Sequence, residues 1–493
     1  MSRDDAQSFA PLGARGKLFT MGISLLAINL TVAPACRAQT TSPSTQPASA
    51  SSTIQTVREA TKAGMIAYKL TVPEELQRLL GAPQSETQNK DGEVQTLVQH
   101  YPGVKAVFMK PQDNALPFVL THLTAGWREV DIGRNRVIVL RNEGDLGKFD
   151  SFWGLANASL VKLDLRQHRA RLDQLPFDSR TVWPPADRLP EGFDPLKLLE
   201  DGKNPGLGLR GLHRQGIDGK GIHIAIIDQP LLLKHQEYKD RIKSYEPIGV
   251  GAVPPQMHGP PVVSIAVGKT CGVAPGAVVH YYAVPTWSWW NLHCKPYAQV
   301  LDKIVEKNKQ SDPADRVRVV CISLGMFSEW PDYRLWKEAV ERAAAEGILV
   351  VSCDPAFLKY GTANRIAGKD AEDPSGWQIG RYWSPGTVLL VPAGERTTAS
   401  HVGADMYTYW RHGGMSWAAP YLAGLAALAF QVAPEIEPAT IVELWRKTAG
   451  GKASKPAVVN PVRFIEAVRA GRIQRSGSPG QQSQSEEPSG VGR

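Results

Sequence analysis

A chain of 493 residues with 42% hydrophobic residues and 13 tryptophans carries apolar mass for two or three domains, which excludes a disordered protein. Its net charge of +8 is modest and its basic residues are scattered, which excludes a nucleic-acid binder built on a basic stripe. Beyond the first forty residues no segment reads as a membrane span.

In chain order, Arg15 and Lys17 precede "LFTMGISLLAINLTVAPA", an apolar run too short to cross a bilayer. Residues 1–38 therefore read as a secretory signal cut after Ala38, which predicts an exported protein, periplasmic or extracellular. A lipid anchor at Cys36 is the alternative, although Ala33 stands where a bacterial lipoprotein signal usually has leucine. Residues 39–56 are a Ser/Thr/Pro/Gln linker with little to bury.

Residues 57–145 predict a small α+β domain, propeptide-like or regulatory. "TVPEELQRLLG" has a capping-box pattern from Thr71 to Glu74 and a stopping glycine at Gly81. The runs "VKAVFM", "FVLTHL" and "RVIVLR" follow as strands. Residues 146–205, rich in proline and aromatics, read as a connecting segment laid over a surface.

From 206 to 472 the pattern alternates. "IHIAIID", "AVVHYYAV", "VRVVCISLG", "GILVVSCD" and "TVLLVPAG" are continuous apolar runs, as strands are when both faces are buried. Between them "DYRLWKEAVERAAAEG" sets Leu335, Trp336, Ala339, Val340 and Ala343 on one helical stripe. The fold class is α/β, a parallel sheet flanked by helices. Residues 473–493 read as a disordered tail.

Export leaves Cys271, Cys294, Cys321 and Cys353 in a compartment that permits disulfides. A Cys271–Cys294 bridge would close a short loop, while Cys321 and Cys353 sit in apolar runs as buried thiols; their spacing is not that of a zinc site. Trp287, Trp289 and Trp290 read as packing residues, with an aromatic platform for a partner as the alternative.

In a parallel sheet, chemistry collects where strands end. Asp228 ends a strand, His258 opens the helical "HGPPVVSIAVG", and Ser416 opens "MSWAAPYLAGLAALAF" behind Gly413 and Gly414. Taken alone, each has an ordinary role as a turn former, a surface histidine or an N-cap. Together they are the set that acyl transfer needs: a hydroxyl nucleophile, an imidazole base and a carboxylate that fixes the imidazole tautomer.

In this order the chain resembles the subtilisin-like (subtilase) serine peptidases. "GKGIHIAIIDQPLLLKHQEY" is similar to the family's aspartate segment, with His235 at its usual downstream histidine and structural in role. "HGPPVVSIAVG", "GVAPGAVVHYYAV", "ISLG" and "GGMSWAAPYLAG" resemble the histidine segment, the following strand, the substrate strand and the serine segment. The resemblance implies catalytic Asp228, His258 and Ser416, and a polypeptide substrate bound as an extended strand along Ser323, Leu324, Gly325 and Met326. It implies no cofactor for the chemistry; no oxygen-rich loop marks a calcium site and no metal ligand is assigned.

The chain departs from the family at Gln229 and Pro230, at Pro260 and Pro261, at Met326, and at Met415 and Trp417 around the nucleophile. Where the family offers an oxyanion-hole asparagine this chain has Asp354, which donates only while protonated or else serves as a cap or ion-pair partner. The expected function is an exported serine endopeptidase. The rivals are a subtilisin-fold binding protein of weak or lost activity and an esterase using the same triad.

Overall fold

The computed structural model describes residues 49–91, 94–111, 116–132, 137–152, 154–251, 253–285, 293–354, 357–384, 386–449 and 457–476. The chain divides into two compact units between residues 134 and 135. The leader, Cys36 and the tryptophans at 287, 289 and 290 lie outside the described residues.

The first unit opens with the helix Ala50–Lys62, so the linker expected through residue 56 ends earlier. Ser49 caps it, its hydroxyl accepting the Ser52 N–H at 3.2 Å, and Thr53, Val57 and Ala60 recur on one buried face. Helical periodicity here outweighs the polar composition. In the helix Pro73–Leu80 the cap is Val72, not Thr71. Pro73 lacks an N–H and suits the first helical position, which moves the cap by one residue. The Glu75 carboxylate, not that of Glu74, then accepts the Val72 N–H at 3.1 Å.

Five antiparallel strands follow in consecutive order, Ser85–Asp91, Val94–Tyr101, Val104–Pro111, Val119–Ala125 and Arg128–Glu129. The first is wholly polar and carries no strand signal of its own; pairing such as Thr87 with Val98 makes it one. "RVIVLR" contributes only Ile138–Val139, which belongs to the second unit and pairs with Ala158–Ser159.

The second unit is built on a five-stranded parallel sheet ordered Ile242–Pro247, Val278–Ala283, His223–Asp228, Val317–Ile322, Leu349–Ser352. Every residue of the central strand is buried. Ile224 and Ile226 face the helices Gly259–Val267 and Met415–Val432, whereas Ala225 and Ile227 face Lys295–Gln310 and Tyr333–Ala345. Two covered faces explain why these strands are apolar without alternation. The chain runs from the central strand to one side and later to the other, so the switch in direction falls at the carboxyl end of His223–Asp228, where such sheets open a crevice.

Four expectations change here. The run "TVLLVPAG" is a strand, Leu389–Gly394, but of a second sheet, beside Tyr360–Arg365. Residues 146–205 are not laid over a surface: Leu155, Leu160, Leu165, Leu175 and Phe177 are fully buried, and Phe177–Asp178 pairs with Tyr407–Trp410. The helix Pro461–Ser476 runs into the segment expected to be a tail, of which residues 477–493 lie outside the description. Cys271, Cys294, Cys321 and Cys353 are all free thiols, so the Cys271–Cys294 bridge is not formed.

Candidate active site

Asp228 is the last residue of the central strand and His258 caps the helix Gly259–Val267, so a carboxylate and an imidazole meet where the sheet opens. Pro260 and Pro261 occupy the first turn, where a missing N–H loses nothing. His258 Nδ1 lies 2.8 Å from Asp228 Oδ1 and 3.0 Å from Oδ2, with both residues under 5% exposed. With the proton on Nδ1 in this bond, Nε2 is the ring's acceptor nitrogen.

Gln229 locks this pair. Its N–H donates to Asp228 Oδ1 at 2.7 Å, its Oε1 accepts the His258 N–H at 3.2 Å, and its carbonyl accepts the Tyr281 hydroxyl. The departure at 229 is therefore a brace. A side chain at Gly259 would stand 2.8 Å from the Gln229 carbonyl oxygen, so only glycine follows His258.

Ser416 is the second residue of the helix Met415–Val432, which starts two residues earlier than serine capping predicts, with Gly414 as cap. Its backbone N–H has no partner within the helix and points outward at the positive end of the dipole. Gly413 is packed against Ala393, whose carbonyl oxygen a Cβ would meet at 2.0 Å, whereas a Cβ on Gly414 would touch only Ser416 N at 3.8 Å and Tyr382 at 3.9 Å. One glycine permits close approach and the other leaves open space beside the hydroxyl. The helix passes for a membrane span by length and composition, yet every residue except Met415, Ser416 and Gln431 is buried.

Pro420 stands inside this helix rather than in its first turn. It cannot donate to the carbonyl four residues earlier, which is that of Ser416. Ser323 fills the gap: its hydroxyl donates to the Ser416 carbonyl at 3.0 Å, while Ser416 Oγ donates to the Ser323 carbonyl at 3.2 Å. Sequence reading placed Ser323 among substrate contacts and missed this exchange; a proline four residues after a candidate nucleophile was the available signal. The strand itself ends at Ile322, and Ser323 to Met326 continue as irregular backbone.

Trp417 covers the imidazole. Its ring centroid is 5.1 Å from that of His258, at 45°, and Trp410 stands edge-on to it at 5.4 Å. Asp354 is 6% exposed, and its Oδ2 accepts the Tyr333 hydroxyl at 3.5 Å. His235 lies apart from the pair: Nε2 donates to the Met406 carbonyl at 2.8 Å and Nδ1 accepts the Glu237 N–H at 3.2 Å. Burial pushes His235 below the usual histidine range. Glu237, which sequence reading did not single out, pins the same loop. Burial pushes its carboxyl up, but the Thr270 N–H at 2.8 Å and the Tyr407 hydroxyl at 2.6 Å hold it low.

Residues 219–354 match the model of the Subtilase family, Peptidase_S8. The match spans Asp228, His258, Ser323 and Asp354 and ends before Ser416. No curated protein matches the chain in sequence. Among solved structures it is similar to one describing assembly of the subtilase cytotoxin SubAB, at 13% identity over 56% of this chain and 98% of that one, with a TM-score of 0.45. It is also similar to fervidolysin from Fervidobacterium pennivorans, a keratinolytic enzyme related to subtilisin, at 15% identity over 54% of this chain and 47% of that one, TM-score 0.41. The PatG macrocyclase domain is similar at 16% identity over 54% of this chain and 96% of that one, TM-score 0.39. The subtilase match supports a protease-type function of the serine hydrolase class.

Proposed function

From that subtilase segment as premise, we propose that the protein is an exported serine endopeptidase in which Ser416 is the nucleophile, His258 the general base and acid, and Asp228 the group that orients the imidazole. The observation that carries this reading is the buried Asp228–His258 pair at the sheet's opening, with Ser416 held through Ser323, the residue that follows the strand next to that of Asp228.

In the reaction His258 Nε2 takes the Ser416 proton as Oγ bonds to the substrate carbonyl carbon. For this the hydroxyl turns from the Ser323 carbonyl to the imidazole. The carbonyl oxygen becomes an oxyanion facing the Ser416 N–H. His258 then delivers its proton to the leaving amine as the C–N bond breaks, and water, deprotonated by the same imidazole, releases the acyl group. Asp354 contributes a second oxyanion donor only in its protonated form, so a rate that falls as pH rises would mark it as a participant, and a rate that grows toward neutrality would mark it as passive.

Labelling by a fluorophosphonate tests the assignment. The full chain is expected to be labelled at Ser416, and Ser416→Ala is expected not to be. An unlabelled wild type supports a binding protein that keeps the fold without the chemistry, the reading favoured by Trp417 crowding the imidazole. Turnover of a short-chain ester without cleavage of casein would make the enzyme an esterase instead.

A further inference from the structure

Two residues beyond Ser323, Gly325 lies against the ring of Phe327. Because Ser416 Oγ donates to the Ser323 carbonyl, the residues directly after Ser323 border the space next to the nucleophile. The facing wall is Ser352 to Asp354, tied across by the Cys353 N–H donating to the Leu324 carbonyl at 3.2 Å. Gly325 lies between the two. A Cβ built on it would stand 3.2 Å from the Cys353 carbonyl oxygen and 3.2 and 3.3 Å from Cζ and Cε2 of Phe327. These separations are below ordinary van der Waals contact, so no volume is left over Gly325 while the ring is there. The ring is held in turn: Trp330 stands edge-on at 5.3 Å, and Met326, only 1% exposed, anchors the intervening backbone in the core.

We propose that Phe327 is a specificity-determining residue, whose ring occupies the hollow over Gly325 and restricts the substrate residue whose carbonyl Ser416 attacks to glycine, alanine or serine. The inference rests on the acyl-transfer reading above and deepens it by naming the substrate class. A larger side chain must either displace the phenyl ring from Gly325 and Trp330 or leave its own apolar surface in water. Met326, one of the chain's departures from the family, points into the core, and the narrowing comes from its neighbour.

The experiment uses the full chain and two peptidyl diphenyl phosphonates that differ only at the residue next to phosphorus, alanine or phenylalanine. Ser416 Oγ attacks phosphorus and phenol leaves, so the rate reads acceptance of that side chain. Wild type is expected to favour the alanine reagent by about 10- to 100-fold, the scale on which pockets discriminate small apolar differences. In Phe327→Ala the phenylalanine-to-alanine rate ratio is expected to rise by about the same factor. Phe327→Leu, which retains most of the packing, is expected to fall between and serves if the alanine variant melts early. A wild type that prefers phenylalanine, or the same ratio in all three proteins, overturns the inference while generic fluorophosphonate labelling leaves the triad standing. Loss of generic labelling in wild type removes the triad and this inference with it.

Discussion

The central strand meets an imidazole at each end, and the two ends differ in the partner that imidazole is given. At its last residue Asp228 faces His258 at 2.8 Å. At its first, His223 Nδ1 faces His280 Nε2 at 3.1 Å, His280 Nδ1 accepts the Ser244 hydroxyl at 2.9 Å, and His223 Nε2 lies 3.6 Å from Asp315 Oδ1. One proton order satisfies the whole row, Ser244 to His280 to His223 to Asp315, with both rings neutral. Burial, then His223, Lys243 and Lys307, pushes His280 down to about 4. Burial and Lys243 lower His223 as well. The imidazoles at the strand's start are thus barred from charge by burial and by their imidazole and lysine neighbours, whereas the imidazole that meets its last residue faces a buried carboxylate instead. Burial is shared by His223 and His258; the partner differs.

The largest effect that would break this contrast comes from Asp228→Asn. An amide in place of the carboxylate favours the wrong imidazole tautomer and cannot stabilise the imidazolium, so the fluorophosphonate labelling rate should fall by about 10⁴-fold with the fold intact. A loss under tenfold would reduce the Asp228–His258 pair to a structural device like its counterpart at the other end.

The counterpart is tested by acid. Because the folded value of His280, about 4, lies below the ordinary histidine value of about 6.5, the unfolded chain binds the proton first. Stability from this group is therefore complete above pH about 6.5 and is lost as pH falls toward 4, by at most ~3 kcal/mol. His280→Gln removes the titration, so wild type should lose more of its melting temperature between pH 7 and pH 4.5 than the variant does. Parallel losses in both proteins would show that the row at the strand's start tolerates charge after all.

How far these ends were legible in the sequence follows from what each depends on. Asp228, His258 and Ser416 were readable because each opens or closes an element, and element ends are written locally in apolar runs, prolines and glycines. The parallel strands were readable for the same reason, their two buried faces leaving unbroken apolar stretches. The polar strand Ser85–Asp91 was not, because its strand character comes from the partner it pairs with. Nor was the role of Gln229, whose three hydrogen bonds join residues 228, 258 and 281 only after folding. The His223–His280 row escaped notice because nothing in "GIHIAIID" or "VVHYYAV" states that the two histidines become neighbours in adjacent strands. The cap at Val72 shows the local limit: Thr71 and Glu74 satisfy the pattern, and the ring of Pro73 decides otherwise.

The smallest effect concerns how the third group joins the carboxylate end. Pro420 withholds the N–H that an unbroken helix would offer the Ser416 carbonyl, and the Ser323 hydroxyl supplies a donor from the neighbouring strand end. Ser323→Ala leaves that carbonyl unpaired, a loss of about 1 kcal/mol that should slow labelling about fivefold, since the backbone of Ser416, the proposed nucleophile, is then held less firmly. Pro420→Ala restores a donor inside the helix. In that background Ser323→Ala should cost less, with a coupling of about 0.5–1 kcal/mol between the two sites. Strict additivity, or no change in labelling from Ser323→Ala alone, would mean that Ser416 is positioned by its helix and owes nothing to the end of the strand that pairs with that of Asp228.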